Sequence, residues 1–189
     1  MNLLVLGPQG AGKGTQAARI SAEQGIPHIG TGDMFREAIA ADTPLGRRVK
    51  PILESGRLVP DEITVSLIRE RLGRPDAADG FVLDGFPRNL GQAEALDETL
   101  AEIGRGLDAI LYFNVADEVG TKRALDRARV EGRTDDTPNV IEKRLEIYHR
   151  ETEPIVEHYR ATGKLVPINA ERSIDEVAAE VSDALRVLA

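Results

Sequence analysis

Residues 2–15 constrain the fold more tightly than any other stretch. Asn2-Leu3-Leu4-Val5-Leu6 is an apolar run of strand length. Gly7-Pro8-Gln9-Gly10-Ala11-Gly12-Lys13 follows without a spacer, then Gly14-Thr15 and a helical pattern. A strand, a glycine-rich loop and a helix start, in that order, are the context of a phosphate-binding loop. Glycines let successive backbone N–H groups point into one concavity. The helix N-terminus adds a partial positive charge, and Lys13 supplies a full one within reach of β- and γ-phosphate oxygens. Gly14 stands where Ser or Thr usually touches Mg²⁺, and Thr15 comes one place later. The metal is therefore expected to be held differently, through Thr15 and water. The loop points to a nucleotide phosphate and leaves the reaction open.

Four more apolar runs have strand length: Pro27–Ile29, Phe81–Leu83, Ala109–Val115 and Leu165–Ile168. Helical patterns separate them. Apolar runs without alternation suit a parallel sheet covered on both faces, and alternation of strand with helix gives a doubly wound domain. The expected fold class is thus α/β, a P-loop NTPase fold with a five-stranded parallel sheet and helices on both faces, in one domain over 1–189. Ligands of such sheets sit at the carboxyl ends of the strands, where Gly7, Thr31, Asp84 and Gly85 fall.

Two segments interrupt the alternation. The first is a long helical excursion, Thr31 to Leu72, with pieces Met34–Ala41, Leu45–Glu54 and Asp61–Leu72, in which Pro51 is expected to bend or interrupt the middle helix. The second is the short polar, turn-rich stretch Val130–Pro138. Near the C-terminus, Ile141, Leu145, Tyr148, Ile155 and Tyr159 recur at helical spacing, as do Ile174, Val177, Val181 and Leu185, and both stripes are read as core-facing.

A chain of 189 residues with 41% hydrophobic and 30% charged residues is long enough to bury one sizeable core. No stretch approaches the roughly 20 apolar residues of a membrane span. No signal peptide is visible, since the apolar N-terminus runs straight into the phosphate loop. Cysteine is absent, which excludes disulfides and thiolate-bound zinc and fits a cytoplasmic location. The net charge of −8 argues against nucleic acid or an anionic membrane as partner.

That balance makes clustered arginines informative. Among 24 basic residues, lysine stands only at 13, 50, 122, 143 and 164, and arginine is the residue of bidentate phosphate contacts. Arg36, Arg57, Arg88, Arg127, Arg133 and Arg144 accompany turns and strand ends. Arg123 and Arg127 lie four apart on one predicted helix face, where a shared anion would remove their repulsion. Arg144 lies on the apolar stripe between Ile141 and Tyr148. An inward charge is costly unless paired, so either a carboxylate or a bound phosphate is expected to meet it. Thr31-Gly32-Asp33 follows a strand and opens a helix, where Thr31 or Asp33 can serve as N-cap. Asp84, after an apolar strand and before Gly85, is placed like an aspartate that orients Mg²⁺ through its water shell.

Taken together, Gly7–Thr15 with its Gly14-Thr15 ending, Thr31-Gly32-Asp33-Met34, Asp84-Gly85-Phe86-Pro87-Arg88 with Gln92, and Gly132-Arg133-Thr134-Asp135-Asp136 followed by Lys143-Arg144-Leu145 resemble adenylate kinase in its short-lid form. The resemblance covers nearly the whole chain. It implies Mg²⁺-dependent phosphoryl transfer from ATP to AMP, without zinc, by a core carrying an NMP-binding insertion over 30–59 and a short lid over 128–138, in a monomer. By the same resemblance, Gly10, Ala11, Gly12, Lys13, Gly14 and Thr15 hold the ATP phosphates, Arg127 lies along ATP, Arg123 stacks on its adenine, and Arg172 meets adenine through its backbone. Thr31, Arg36, Arg57, Leu58, Val59, Gly85, Phe86, Pro87, Arg88 and Gln92 match the AMP pocket. Gln92 can read the adenine edge with its paired donor and acceptor. Arg133 and Arg144 match arginines that clamp the transferring group. Lys13, Arg88, Arg127, Arg133 and Arg144 are the expected catalytic set, with Asp84 holding the metal through water. Three other readings stay open from the residues alone: a UMP/CMP-type kinase, a GTP-using relative, and a nucleotide-binding sensor without turnover.

Overall fold

The computed structural model describes residues 1–133 and 135–188. Its elements in chain order are β1 (Asn2–Leu6), α1 (Lys13–Gln24), β2 (His28–Gly30), α2 (Thr31–Ala40), α3 (Pro44–Glu54), α4 (Asp61–Leu72), β3 (Phe81–Asp84), α5 (Leu90–Glu102), β4 (Ala109–Asn114), α6 (Asp117–Glu131), α7 (Pro138–Ile147), α8 (Pro154–Arg160), β5 (Leu165–Asn169) and α9 (Ile174–Leu188). The five strands form one parallel sheet in the order β2-β3-β1-β4-β5. Strand order reverses around β1, and the glycine-rich loop leaves from its carboxyl end, the crevice where ligands of open α/β sheets collect.

Burial explains the unbroken apolar runs. Leu3 and Val5 of β1, Val82 of β3 and Leu111 and Phe113 of β4 face α1 and α9, meeting Ala17, Ile20, Val177, Val181 and Leu185. The alternate residues, Leu4, Leu6, Phe81, Leu83 and Ile110, face α4, α5 and α8, meeting Ile68, Leu96, Leu100, Ile155 and Tyr159. Both faces of each central strand are therefore dry, and neither has room for a polar residue. A third cluster stands apart: Phe35, Val49 and Val59, with Ile39, Leu45, Ile52, Leu53, Ile63 and Leu67 around them. Among the described residues, no helix is long and apolar enough to cross a membrane.

Several expectations need correction. Helix α3 runs through Pro51 without interruption, and the Ser55 N–H still reaches the Pro51 carbonyl at 3.2 Å. Proline costs the helix one N–H donor, while Val49, Ile52 and Leu53 stay packed in the third cluster. Helix α2 begins at Thr31, three residues early, with Gly30 in the N-cap position and no side-chain cap. Thr31 is thus not a cap, and its hydroxyl instead donates to the Gly85 carbonyl at 2.8 Å. The stripe from Ile141 to Tyr159 is not one helix, because a wider turn of π type, Tyr148–Thr152, separates α7 from α8. Ile174, assigned to the core stripe of α9, is 55% exposed. It is the first residue of that helix, where the chain has only begun to turn onto the sheet.

Candidate active site

The phosphate loop is shaped by its glycines. Gly10 has φ of +75°, and a Cβ there would fall 1.9 Å from the Gly120 carbonyl of α6. Loop and helix are in backbone contact, and only glycine permits it. Gly12 also has positive φ, but a Cβ there would meet nothing within 4 Å. It sits at the N-cap of α1 with no side-chain cap, so the first N–H groups of α1 are left to whatever enters the loop. Lys13 arches back, and its Nζ donates to the Pro8 carbonyl at 2.8 Å. Burial pushes the Lys13 ammonium down to about 8, with Asp84 working against that and Arg88 and Arg127 adding to it.

Asp84 closes β3 opposite the loop, and a Cβ on Gly14 would lie 3.5 Å from its Oδ2. Burial alone would raise its pKa. His28, Lys13 and Arg88 outweigh burial and hold the carboxyl below its usual range. Asp84 is therefore an ionised carboxylate facing the loop. His28 lies in no sequence motif, yet its Nε2 stands 3.7 Å from Asp84 Oδ2 and the ring lines the cleft. Only the pairing of β2 with β3, with His28 opposite Val82, brings them together, and nothing local announces it.

Arginines occupy the far wall. Arg88 anchors its Nε on the Gly85 carbonyl at 2.7 Å. Burial lowers its pKa to about 10, with Arg144 and Arg36 adding to the effect. Arg144 finds carboxylates, one of the two partners its inward position required. It donates to Asp135 at 3.0 Å and to Asp136. Asp136, whose side chain is 0% exposed, also takes Arg127 at 2.7 Å and lies 3.9 Å from Arg133. Arg36 holds Asp33 at 2.6 Å and reaches toward Asp135 at 3.7 Å. These two aspartates, read in the sequence only as part of a motif, hold the arginine cluster together. The signal was available: two adjacent acids beside an inward-facing arginine. Thr134 of the same motif lies outside the described residues.

Arg123 and Arg127 turn to different protein partners. Arg127 turns to Asp136, whereas Arg123 donates to the carbonyls of Ala170 at 2.6 Å and Glu171 at 3.1 Å. Two of its five N–H donors brace that loop, and the residue also lines the cleft. The Arg172 side chain pairs outward with Glu180 at 3.4 Å, so only its backbone is well placed for a ligand.

One cleft of about 860 Å³ gathers Gly10, Ala11, Gly12, Lys13, Gly14, Thr15, Arg36, Leu58, Asp84, Gly85, Pro87, Arg88, Arg127, Arg133, Arg144 and Arg172. An adjoining small cavity is walled by Thr31, Arg57, Leu58, Val59, Gly85, Arg88 and Gln92. Phe86 is the exception, since its side chain lies in the core beneath the sheet. The neighbouring backbone reaches the cleft instead.

The model of the family described as adenylate kinase matches residues 5–164. The chain belongs to the adenylate kinase family. Proteins named adenylate kinase are 46% identical over 98% of this chain in Xanthomonas campestris pv. campestris and 44% identical over 98% in Stenotrophomonas maltophilia, covering 99% and 100% of their own lengths. In a Cyanothece species, one is 48% identical over 95% of this chain and 92% of its own. Adenylate kinases are phosphotransferases that act on nucleotides, in keeping with a cleft whose cations so outnumber its carboxylates.

Proposed function

We propose that the chain catalyses the reversible reaction of MgATP with AMP to give two ADP. One observation carries the reading: cations line both ends of a single cleft. Lys13 and the bare N-terminus of α1 stand at one end. Arg36, Arg88, Arg133 and Arg144 line the same cleft away from the loop's own residues, and Arg88 also lines the small Gln92 cavity. A protein that only binds one nucleotide has no use for the second set.

In this reading Gly10–Thr15 take the ATP phosphates, with Arg127 alongside. The face of Arg123 and the backbone near Arg172 meet the donor base. Thr31, Arg57, Leu58, Val59 and Gln92 take the AMP base. Arg36, Arg88 and the backbone of Gly85–Pro87 take its phosphate. An AMP phosphate oxygen attacks the γ-phosphorus in line, the bond to the β–γ bridging oxygen breaks, and ADP leaves. The acceptor is largely dianionic near neutral pH, so no general base is required. The work is positioning and charge neutralisation, with Lys13, Arg88, Arg127, Arg133 and Arg144 facing the charge spread over the equatorial oxygens.

Asp84 fits Mg²⁺. It is a hard oxygen donor kept ionised, and Mg²⁺ is commonly held by one or two carboxylates together with substrate phosphates and water. Asp84 would hold it through water, with Thr15 near, and the ion would neutralise charge on the bridging phosphates. Water is the competing acceptor, so the site must exclude it. Segment 30–59, which owns most of the third cluster, and segment 128–138 would close over the nucleotides. Support comes from contacts across the cleft: Arg36 toward Asp135, and Arg144 on the Leu53 carbonyl at 3.4 Å. In this reading the chain works as a monomer in the cytoplasm, a reducing compartment that a cysteine-free chain suits.

The test is ADP production from MgATP with AMP, UMP, CMP or GMP, with ATP alone as the hydrolysis control. ADP formation is expected with AMP at far above the control rate. A preference for UMP or CMP would overturn the acceptor, and transfer to none of them would leave a sensor. A further result is expected from the depressed Lys13. Above pH 8 the free ammonium is largely neutral, and triphosphate oxygens restore its charge. MgATP binding near pH 9 should therefore take up close to one proton, and near pH 7 almost none through this group. Calorimetry in two buffers of different ionisation enthalpy reads this directly. Equal uptake by a Lys13→Met variant would refute it.

A further inference from the structure

Gln92 is held by the protein before any ligand arrives. It is 1% exposed. Its Oε1 accepts the Arg88 N–H at 2.8 Å, and its Nε2 donates to Asp61 Oδ1 at 2.8 Å. The same Asp61 oxygen takes Asn89 Nδ2 at 3.0 Å, while Asn89 Oδ1 caps α5 through the Gln92 N–H at 2.8 Å. A carboxylate only accepts and a backbone N–H only donates, so the two partners fix which end of the amide is oxygen. Each end has used one of its two capacities, leaving one acceptor site and one N–H on an amide that borders the small cavity with Thr31 and Val59.

We propose that Asp61 is a positioning residue that sets acceptor-base specificity by locking the Gln92 amide in one orientation. The inference rests on the AMP reading above. The locked amide matches a base that presents an amine donor beside a ring-nitrogen acceptor, as adenine does at N6 and N1. A 6-oxopurine presents the reverse, a carbonyl beside an N–H, and meets donor with donor. Releasing Nε2 leaves the Arg88 N–H as the remaining constraint, so the amide can turn over at the cost of that contact and a donor–donor approach, which brings IMP closer to reach. A bidentate match of this kind is worth about one to two orders of magnitude in discrimination.

The experiment compares kcat/KM for AMP and IMP, with MgATP as donor, in the natural chain, Asp61→Ala and Asp61→Asn. The Asp61→Asn variant retains an acceptor oxygen where Gln92 and Asn89 require one, so it should keep the lock. The expected result is a fall of about tenfold in the AMP/IMP ratio for Asp61→Ala, a ratio within about threefold of the natural chain for Asp61→Asn, and KM for ATP unchanged in both. An unchanged ratio in Asp61→Ala overturns the proposal, and so does an equal fall in both variants, which would assign the effect to the charge. A parallel rise in KM for ATP and AMP at constant ratio also overturns it, as the mark of a merely structural residue. Failure of the natural chain to make ADP from AMP would sink the reaction itself, a distinct outcome read in the same assay.

Discussion

Lys13→Met is expected to lower the turnover number for ADP formation by roughly 10²–10³-fold, the usual loss when one fixed charge facing the transition state is removed, while leaving the melting temperature unchanged or slightly higher. Burial lowers the Lys13 ammonium to about 8, so the folded chain holds that charge at some cost in free energy. Methionine fills a similar volume and carries no charge to desolvate. In the free protein it loses the contact with the Pro8 carbonyl at 2.8 Å and the attraction to Asp84, and it sheds the repulsion of Arg88 and Arg127. Activity and stability therefore move in different directions, which separates a role in the reaction from a role in the fold. Steady-state kinetics together with thermal unfolding decide it. A turnover number within tenfold of the natural chain would remove Lys13 from the catalytic set.

Asp136→Ala should do the opposite and destabilise the fold first. The Asp136 carboxylate is fully enclosed and faces Arg127, Arg144 and Arg133. Removing one partner of a buried ion pair costs about 3–5 kcal/mol, because the other charges stay buried and uncompensated. One third of the Arg127 side chain is exposed, so water screens part of the loss and the lower end applies. For a domain of this size about 3 kcal/mol corresponds to a fall of roughly 6–12 °C in Tm. Phosphates can supply the missing negative charge, so ADP in the presence of a chelator should raise the Tm of Asp136→Ala more than that of the natural chain. A drop below about 2 °C, or equal ligand shifts, would show that the arginines do not depend on this carboxylate.

The sheet was readable because its central strands are buried on both faces. Leu3-Leu4-Val5-Leu6 has no polar position to confuse the period, and no strand limit moved by more than one residue. The phosphate loop was readable because its chemistry is local: Gly10, Gly12 and Lys13 act through backbone shape and one adjacent helix. What was not readable depends on elements distant in sequence. His28 meets Asp84 through strand pairing, Thr31 turns from cap to donor because Gly85 arrives beside it, and Arg123 leaves Arg127 to brace Ala170. Pro51 misled because the local cost of proline is smaller than the burial its helix gains in the third cluster. Phe86 shows a further limit. A motif can mark a segment as ligand-facing while one of its side chains points into the core.

The cleft wall carries Lys13 and Arg36, Arg88, Arg123, Arg127, Arg133 and Arg144, against Asp33, Asp84 and Glu131 on the wall and Asp135 and Asp136 behind the arginines, inside a chain whose total charge is −8. From far away the molecule repels an anion. Within a Debye length of the opening, about 8 Å at physiological ionic strength, the sign reverses and low-dielectric walls focus the field toward the loop. The chain thus sorts encounters by where they land: anions that drift against its outer surface are turned away, and those that reach the mouth are drawn in. Added salt weakens both effects at once, so the contrast between the mouth and the outer surface should fade as ionic strength rises.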